Sequence, residues 1–163
     1  VFPKPEKLND FELGWRYDTD KVRLNANLYY MLYKDQLIPA GDLNDKGYPI
    51  RRNCDGYRTG IEVDAKVFLS AQWQWAPNVS YSQNKNIDYT IKDPNHPGEL
   101  LNLGNTQTSF SPSWVAGNTF TFIPVENFHI SLISKYVGEQ YLSNENQDDA
   151  KLESYLVHSL QLS

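Results

Sequence analysis

Val22-Arg-Leu-Asn-Ala-Asn-Leu-Tyr-Tyr-Met-Leu-Tyr33 is the stretch that decides the fold. Val22, Leu24, Ala26, Leu28, Tyr30 and Leu32 alternate with Arg23, Asn25, Asn27, Tyr29, Met31 and Tyr33. A period of two is the signature of a β-strand, because successive side chains point to opposite faces. One face is therefore apolar throughout and the other is largely polar. The run is also long enough to cross hydrocarbon, which takes about 9–11 residues of a tilted strand.

The same pattern recurs on both sides of this stretch. Upstream, Phe11, Leu13, Trp15 and Tyr17 alternate with Glu12, Gly14, Arg16 and Asp18. Downstream, Tyr57, Thr59, Ile61, Val63, Ala65 and Val67 oppose Arg58, Gly60, Glu62, Asp64 and Lys66. A fourth strand sets Trp73, Trp75, Pro77, Val79 and Tyr81 against Gln74, Ala76, Asn78 and Ser80. A fifth runs from Phe110 to Phe122, with Trp114, Ala116 and Phe120 on one face, and a sixth carries Phe128, Ile130, Leu132, Ser134 and Tyr136. The seventh, Leu152 to Leu162, has a mixed pattern. No helical period competes.

The connections alternate in length. Short turns are expected around Asp20, Ser70 and Glu126. Long polar loops are expected at Pro39–Asn53, at Asn84–Asn105 with Pro94, Pro97 and Gly98, and at Gly138–Lys151. That parity fits strands shuttling across a slab, as in transmembrane barrels with short periplasmic turns and long outer loops. None of the apolar positions on the first six strands is Asp, Glu, Lys or Arg, although charged residues make up 21% of the chain. Aromatics are banked at the strand ends: Trp15, Tyr17, Trp73 and Trp75, with Phe120, Phe122 and Phe128, near the short turns; Tyr30, Tyr57, Tyr81, Phe110 and Tyr136 near the loops. Small aliphatics lie between, the layout of two interfacial girdles. The expected fold is all-β, an antiparallel up-and-down meander of about seven strands from a transmembrane β-barrel. A soluble β-sandwich with an aromatic core is the competing architecture.

Composition narrows the classes further. A net charge of −5 without a basic patch speaks against nucleic acid as a partner. Cys54 is the only cysteine, so no internal disulfide or thiolate cluster is available, and it reads as a small loop residue. No apolar run approaches the roughly 20 residues of a membrane helix. The chain begins at Val1 without a signal-peptide pattern, as expected of a mature or excised segment.

Several strings carry a resemblance: Lys4-Pro-Glu6, Phe11-Glu-Leu-Gly-Trp15, Asn25-Ala-Asn-Leu-Tyr-Tyr30 with Tyr33-Lys-Asp35, Tyr57-Arg-Thr-Gly-Ile-Glu62, Phe110-Ser-Pro112, and Lys135-Tyr-Val-Gly-Glu-Gln-Tyr-Leu142 followed by Ser143-Asn144. In order and spacing they resemble the C-terminal barrel of TonB-dependent outer-membrane receptors, especially the Bacteroidetes type. The resemblance implies a barrel of about 22 strands in the bacterial cell outer membrane, filled by an N-terminal plug. It implies import of a scarce nutrient, such as an iron chelate (siderophore) or cofactor, with energy from TonB. On this reading residues 1–163 are a partial barrel without plug or final strands. Its partners are the bilayer, the rest of the barrel and plug, TonB through that plug, and the small-molecule nutrient.

Candidate chemistry is sparse, and no enzyme is expected. Glu62 and Asp64 share a face at a spacing that paired carboxylates in glycoside hydrolysis can use. Arg58 and Lys66 lie on the same face, so mutual neutralisation along a water-filled wall is the expectation. His96 with Glu99 supplies two potential ligands, too few for a metal site, and His129 and His158 are scattered. For ligand capture Tyr48, Arg51 and Arg52 in the first long loop are the candidates, since Arg clamps anions bidentately. The alternative function is a soluble carbohydrate-binding module that stacks sugars on its Tyr and Trp rings.

The face assignment makes a test. In the full-length receptor Leu28→Arg is expected to impair assembly, since a cation at the bilayer midplane costs about 2–4 kcal/mol. Asn27→Arg, one residue away, is expected to be tolerated. Equal membrane yields for the two variants would contradict the assignment.

Overall fold

The computed structural model describes residues 3–96 and 98–163, so the expectation for Pro97 lies outside the described residues. The strands are β1 (Lys7–Asp18), β2 (Val22–Leu43), β3 (Pro49–Phe68), β4 (Trp73–Ile87), β5 (Thr90–Lys92), β6 (Leu100–Asn102), β7 (Thr106–Gln107), β8 (Trp114–Val125), β9 (Phe128–Val137), β10 (Gln140–Tyr141), β11 (Lys151–Leu152) and β12 (Tyr155–Leu162). No helix occurs among the described residues. The main sheet runs β1-β2-β3-β4-β8-β9-β12, with every pairing antiparallel and β7 attached to β4. This is the expected meander.

Register carries the two faces across the whole sheet. One row reads Trp15, Ala26, Val63, Val79, Ala116, Tyr136 and Leu156. The neighbouring row, on the opposite face, reads Arg16, Asn25, Asp64, Asn78, Gly117, Lys135 and Val157. A slip of one residue in any strand would exchange the two surfaces.

A sandwich needs a second layer, and the described residues form none behind the apolar face. Trp15 is 57% exposed, Leu28 49% and Trp75 39%, and among the described residues the buried apolar ones are Ile38, Ala40, Tyr89 and Val137. Outward rings touch along the sheet: Trp73 stacks on Phe122 at 4.3 Å and Tyr81 meets Trp114 at 4.7 Å. From the Phe11–Tyr30–Thr59 row down to the short turns the outward face carries no Asp, Glu, Lys or Arg, but it is not wholly apolar; Lys7, Lys34 and Lys85 lie on it only nearer the loops. Asn118 and Ser134 pair in register, and Ser134 pairs with His158. Trp75 Nε1 donates to Asn118 Oδ1 at 2.5 Å, and Ser134 Oγ lies 2.8 Å from His158 Nδ1. These contacts meet part of the polar demand within the surface itself, which lowers the cost of facing hydrocarbon.

The short turns fall where expected and use side-chain chemistry. Thr19 Oγ1 accepts from Val22 N at 3.0 Å, and Ser70 Oγ accepts from Gln72 N and Trp73 N at 3.2 Å each. Asn127 takes a left-handed φ of 63°, which Asn tolerates better than most residues.

The long connections differ from expectation. Pro39–Asn53 is mostly paired strand: β2 is 22 residues long and β3 is 20, meeting at a turn in which Asn44 Oδ1 accepts from Lys46 N and Tyr48 N. Alternation hid this because a bulge falls between Tyr33 and Gln36 and shifts the phase by one residue. Asp35, at φ 56°, is held there by Asp55 Oδ1, which accepts from its amide. Both strands are about twice the length that hydrocarbon requires, so the hairpin continues beyond the bilayer. The fifth strand begins at Trp114, not Phe110, because Phe110 turns at φ 53° and donates its amide to Tyr141 O.

Gly60 reports on packing within the polar face. A Cβ there would lie 2.5 Å from Tyr81 O and 2.6 Å from Tyr29 Oη, whereas one at Gly14 meets nothing closer than 3.7 Å. Gly60→Ala is expected to destabilise the folded barrel by about 1–3 kcal/mol through overpacking, while Gly14→Ala stays near neutral. Loss of the heat-modifiable gel band at lower temperature for Gly60→Ala alone is the check.

Candidate functional site: the inner wall and its outer cap

The polar face supplies a wall of hydrogen-bonding groups. Arg16 Nε donates to Asn25 Oδ1 at 3.0 Å, and Asn25 Nδ2 donates to Asp64 Oδ2 at 2.8 Å. Arg58 lies 4.8 Å over the Tyr33 ring and Lys66 5.2 Å over Phe68. The expected neutralisation of Glu62 and Asp64 by Arg58 and Lys66 therefore does not occur through direct ion pairs among the described residues. Asp64 is served by an amide instead.

Beyond the bilayer band the loops form an ordered cap. Ile38 and Arg52 pair in register on the face continuous with the polar wall, and the segment after β4 folds over that side. Tyr89 is buried and donates its hydroxyl to Pro39 O at 3.1 Å. Arg52 Nη1 donates to Thr90 O at 3.3 Å. Buried Asn86 donates to Thr106 Oγ1 at 3.3 Å and accepts from Thr108 Oγ1 at 3.4 Å. The third long connection clamps the second. Asn146 exchanges hydrogen bonds with the backbone N–H and C=O of Gln107, and Asn144 Oδ1 accepts from Ser109 N at 2.8 Å.

The candidate capture residues are distributed over this cap. Tyr48 is 65% exposed at the β2–β3 tip. Arg51 and Arg52 are neighbours on β3 and point to opposite faces, with Arg51 exposed and Arg52 half-buried against the cap. The trio therefore presents an exposed cation, a cation tied to a carbonyl, and a ring, rather than a single clamp. Cys54 belongs to β3 and not to a loop; its thiol donates to Ile87 O at 3.3 Å, and burial pushes its pKa up.

Asp93 joins His96 and Glu99, a grouping the sequence reading did not make. Their ligand atoms all lie within 4.8 Å of one another, and His96 Nδ1 sits 2.9 Å from Asp93 Oδ2. Hydrogen bonding to His96 first, and then to Asn95 N, holds the Asp93 carboxyl below the usual carboxylate range. The three residues can offer two carboxylates and an imidazole, all near the surface.

The sequence reading missed Asn86, Tyr89, Asn144 and Asn146. Their only signal was the Asn-rich composition of the loops, which reads equally well as solvated chain.

An antiparallel wall with one uncharged, aromatic-edged face, one polar face and an elaborated end on one side defines the class: a segment of a transmembrane β-barrel. The chain belongs to the family described as TonB dependent receptor-like, beta-barrel, which it matches over residues 3–163. It is similar to the pesticin receptor of Yersinia enterocolitica, 28% identical over 146 residues, covering 87% of this chain and 20% of that protein. It is also similar to the ferric-pyoverdine 358 receptor of Pseudomonas putida, 29% identical over 107 residues, covering 63% of this chain and 13% of that protein. Among solved structures, the ferric yersiniabactin uptake receptor of Yersinia pestis superposes with a TM-score of 0.73 at 22% identity, over 96% of this chain and 22% of that one. The copper transporter OprC gives 0.75 at 19% identity, over 98% and 23%. The chain thus spans about a fifth of the pesticin receptor's length. Family membership places it in the outer membrane, within a family of transport receptors. The soluble carbohydrate-binding alternative has no support from the family match or from the single-layer sheet.

Asn146→Ala strips both partners from the Gln107 backbone, which costs about 1–3 kcal/mol for groups left unsatisfied. Amide exchange at Gln107 is expected to accelerate about tenfold or more, with exchange in β2 and β3 below the bulge unchanged.

Proposed function

We propose that this chain is part of the barrel wall of a receptor that imports an iron chelate or a similar scarce nutrient. The observation that carries the proposal is the family match over residues 3–163, joined to a polar inner face that leads up to an ordered cap. Residues 1–163 act on this reading as a partial barrel, completed by further strands and by a plug that couples to TonB. The motif strings favour the Bacteroidetes type, although the relatives named above come from Yersinia and Pseudomonas. The protein works on this reading as a transporter and not as an enzyme, in keeping with a family of transport receptors.

Tyr48, Arg51 and Arg52 serve in this proposal as points of contact for an anionic chelate at the outer mouth. Arg51 makes the first encounter, and Arg52 acts further in, beside the Thr90 carbonyl that holds it.

The test is growth of a strain that lacks its other iron receptors but expresses the full-length receptor, supplied with defined ferric chelates. Growth should depend on both the receptor and TonB, and TonB-independent growth would overturn the proposal. Arg51→Gln is expected to weaken chelate binding about tenfold, within the range for a hydrogen bond to a charged group. Its membrane yield should stay unchanged, because the side chain is exposed.

A further inference from the structure

A crevice of about 180 Å³ lies where β8 and β9 pass into the outer loops. Trp114, Tyr136 and Tyr141 line it with rings, and Glu139, Gln140 and Lys151 line it with polar groups. Trp114 is 50% exposed and Tyr136 37%, and both belong to the outward face at the loop end of their strands. The position is therefore the outer girdle, where a barrel meets the headgroups of the outer leaflet.

The charges narrow the ligand. Lys151 Nζ lies 3.6 Å from Glu139 Oε1, 3.7 Å from Asp148 Oδ1 and 4.9 Å from the centre of the Tyr141 ring. Of the residues that line the crevice, Glu139 and Lys151 carry opposite charges that cancel, so its lining has no net charge to select a free anion. Its volume corresponds to about six water molecules. Ring faces beside amide and carboxylate groups suit a ligand with both apolar C–H faces and adjacent hydroxyls. A pyranose has that chemistry.

We propose that this crevice holds a sugar ring from the headgroup of an outer-leaflet glycolipid. The ring stacks on Trp114 and Tyr136, and its hydroxyls bond to Gln140 and Glu139. The acyl chains run down the outward face past Ala116 and Val79, small residues that follow Trp114 and Tyr81 in register. A glycolipid is favoured over a free sugar because the crevice is continuous with this lipid-covered surface. The inference rests on the outer-membrane location alone and not on the imported nutrient.

The test titrates the full-length receptor in detergent with rough-type lipopolysaccharide, and separately with the same core oligosaccharide stripped of lipid, by calorimetry. Trp114→Leu and Gln140→Ala are each expected to weaken lipopolysaccharide binding about tenfold, the size of a modest hot spot. Tyr30→Leu, an outer-girdle residue on β2, three strands from β8, should leave it unchanged. Heat-modifiable migration confirms folding of each variant, and Gln140→Ala keeps the test valid if Trp114→Leu misassembles. Equal loss in Tyr30→Leu would show general girdle partitioning and overturn the crevice. Oligosaccharide binding as tightly as the intact glycolipid would overturn the glycolipid assignment, as would unchanged affinity in Gln140→Ala. Chelate-dependent growth should be unaffected by these substitutions, which separates this outcome from failure of the import proposal.

Discussion

Every strand in this chain depends on the ladder of backbone hydrogen bonds to its neighbours. In a single layer facing hydrocarbon, no water can satisfy a stray N–H or C=O, and each one left unpaired costs several kcal/mol. The consequence is an uninterrupted antiparallel meander from β1 to β12 with no helix among the described residues. Side chains do not hold the layer together as a conventional core does. They adapt each surface to what it touches: lipid on one side, and the polar interior on the other.

That division explains where the structure invests its side-chain chemistry. Within the bilayer band, outward contacts are ring against ring, or polar groups meeting one another, as Trp75 with Asn118 and Ser134 with His158. The inward face uses amide relays and cation–ring contacts, so its charges are spread along the wall instead of cancelling in pairs. Gly60 belongs to the same logic, since the absent side chain leaves room for Tyr29 to lie across the neighbouring strand.

Outside the bilayer the constraints change. The bulge at Lys34–Asp35 marks the point where β2 and β3 leave strict alternation and become a projecting hairpin. Loops that fold over this hairpin bury Ile38, Ala40 and Tyr89, so the small true core of the chain sits in the cap and not in the membrane span. Asn side chains replace strand pairing there, binding the backbone of one loop from another. The cap is thus fixed by long-range hydrogen bonds between loops.

The sequence by itself determined the number of main strands, the faces of the first six and the three short turns, because period-two patterning and turn chemistry are local properties of neighbouring residues. Val22–Tyr33 alone displayed the apolar and polar surfaces that the register then carries across the sheet. Only the tertiary structure decided the rest: the strand character of Pro39–Asn53, the burial of Tyr89, the grip of Asn144 and Asn146 on residues 107–109, and the meeting of Asp93 with His96 and Glu99. These depend on partners separated in sequence and brought together by loop folding. A polar residue reads the same in the sequence whether it faces water or a backbone amide from another loop.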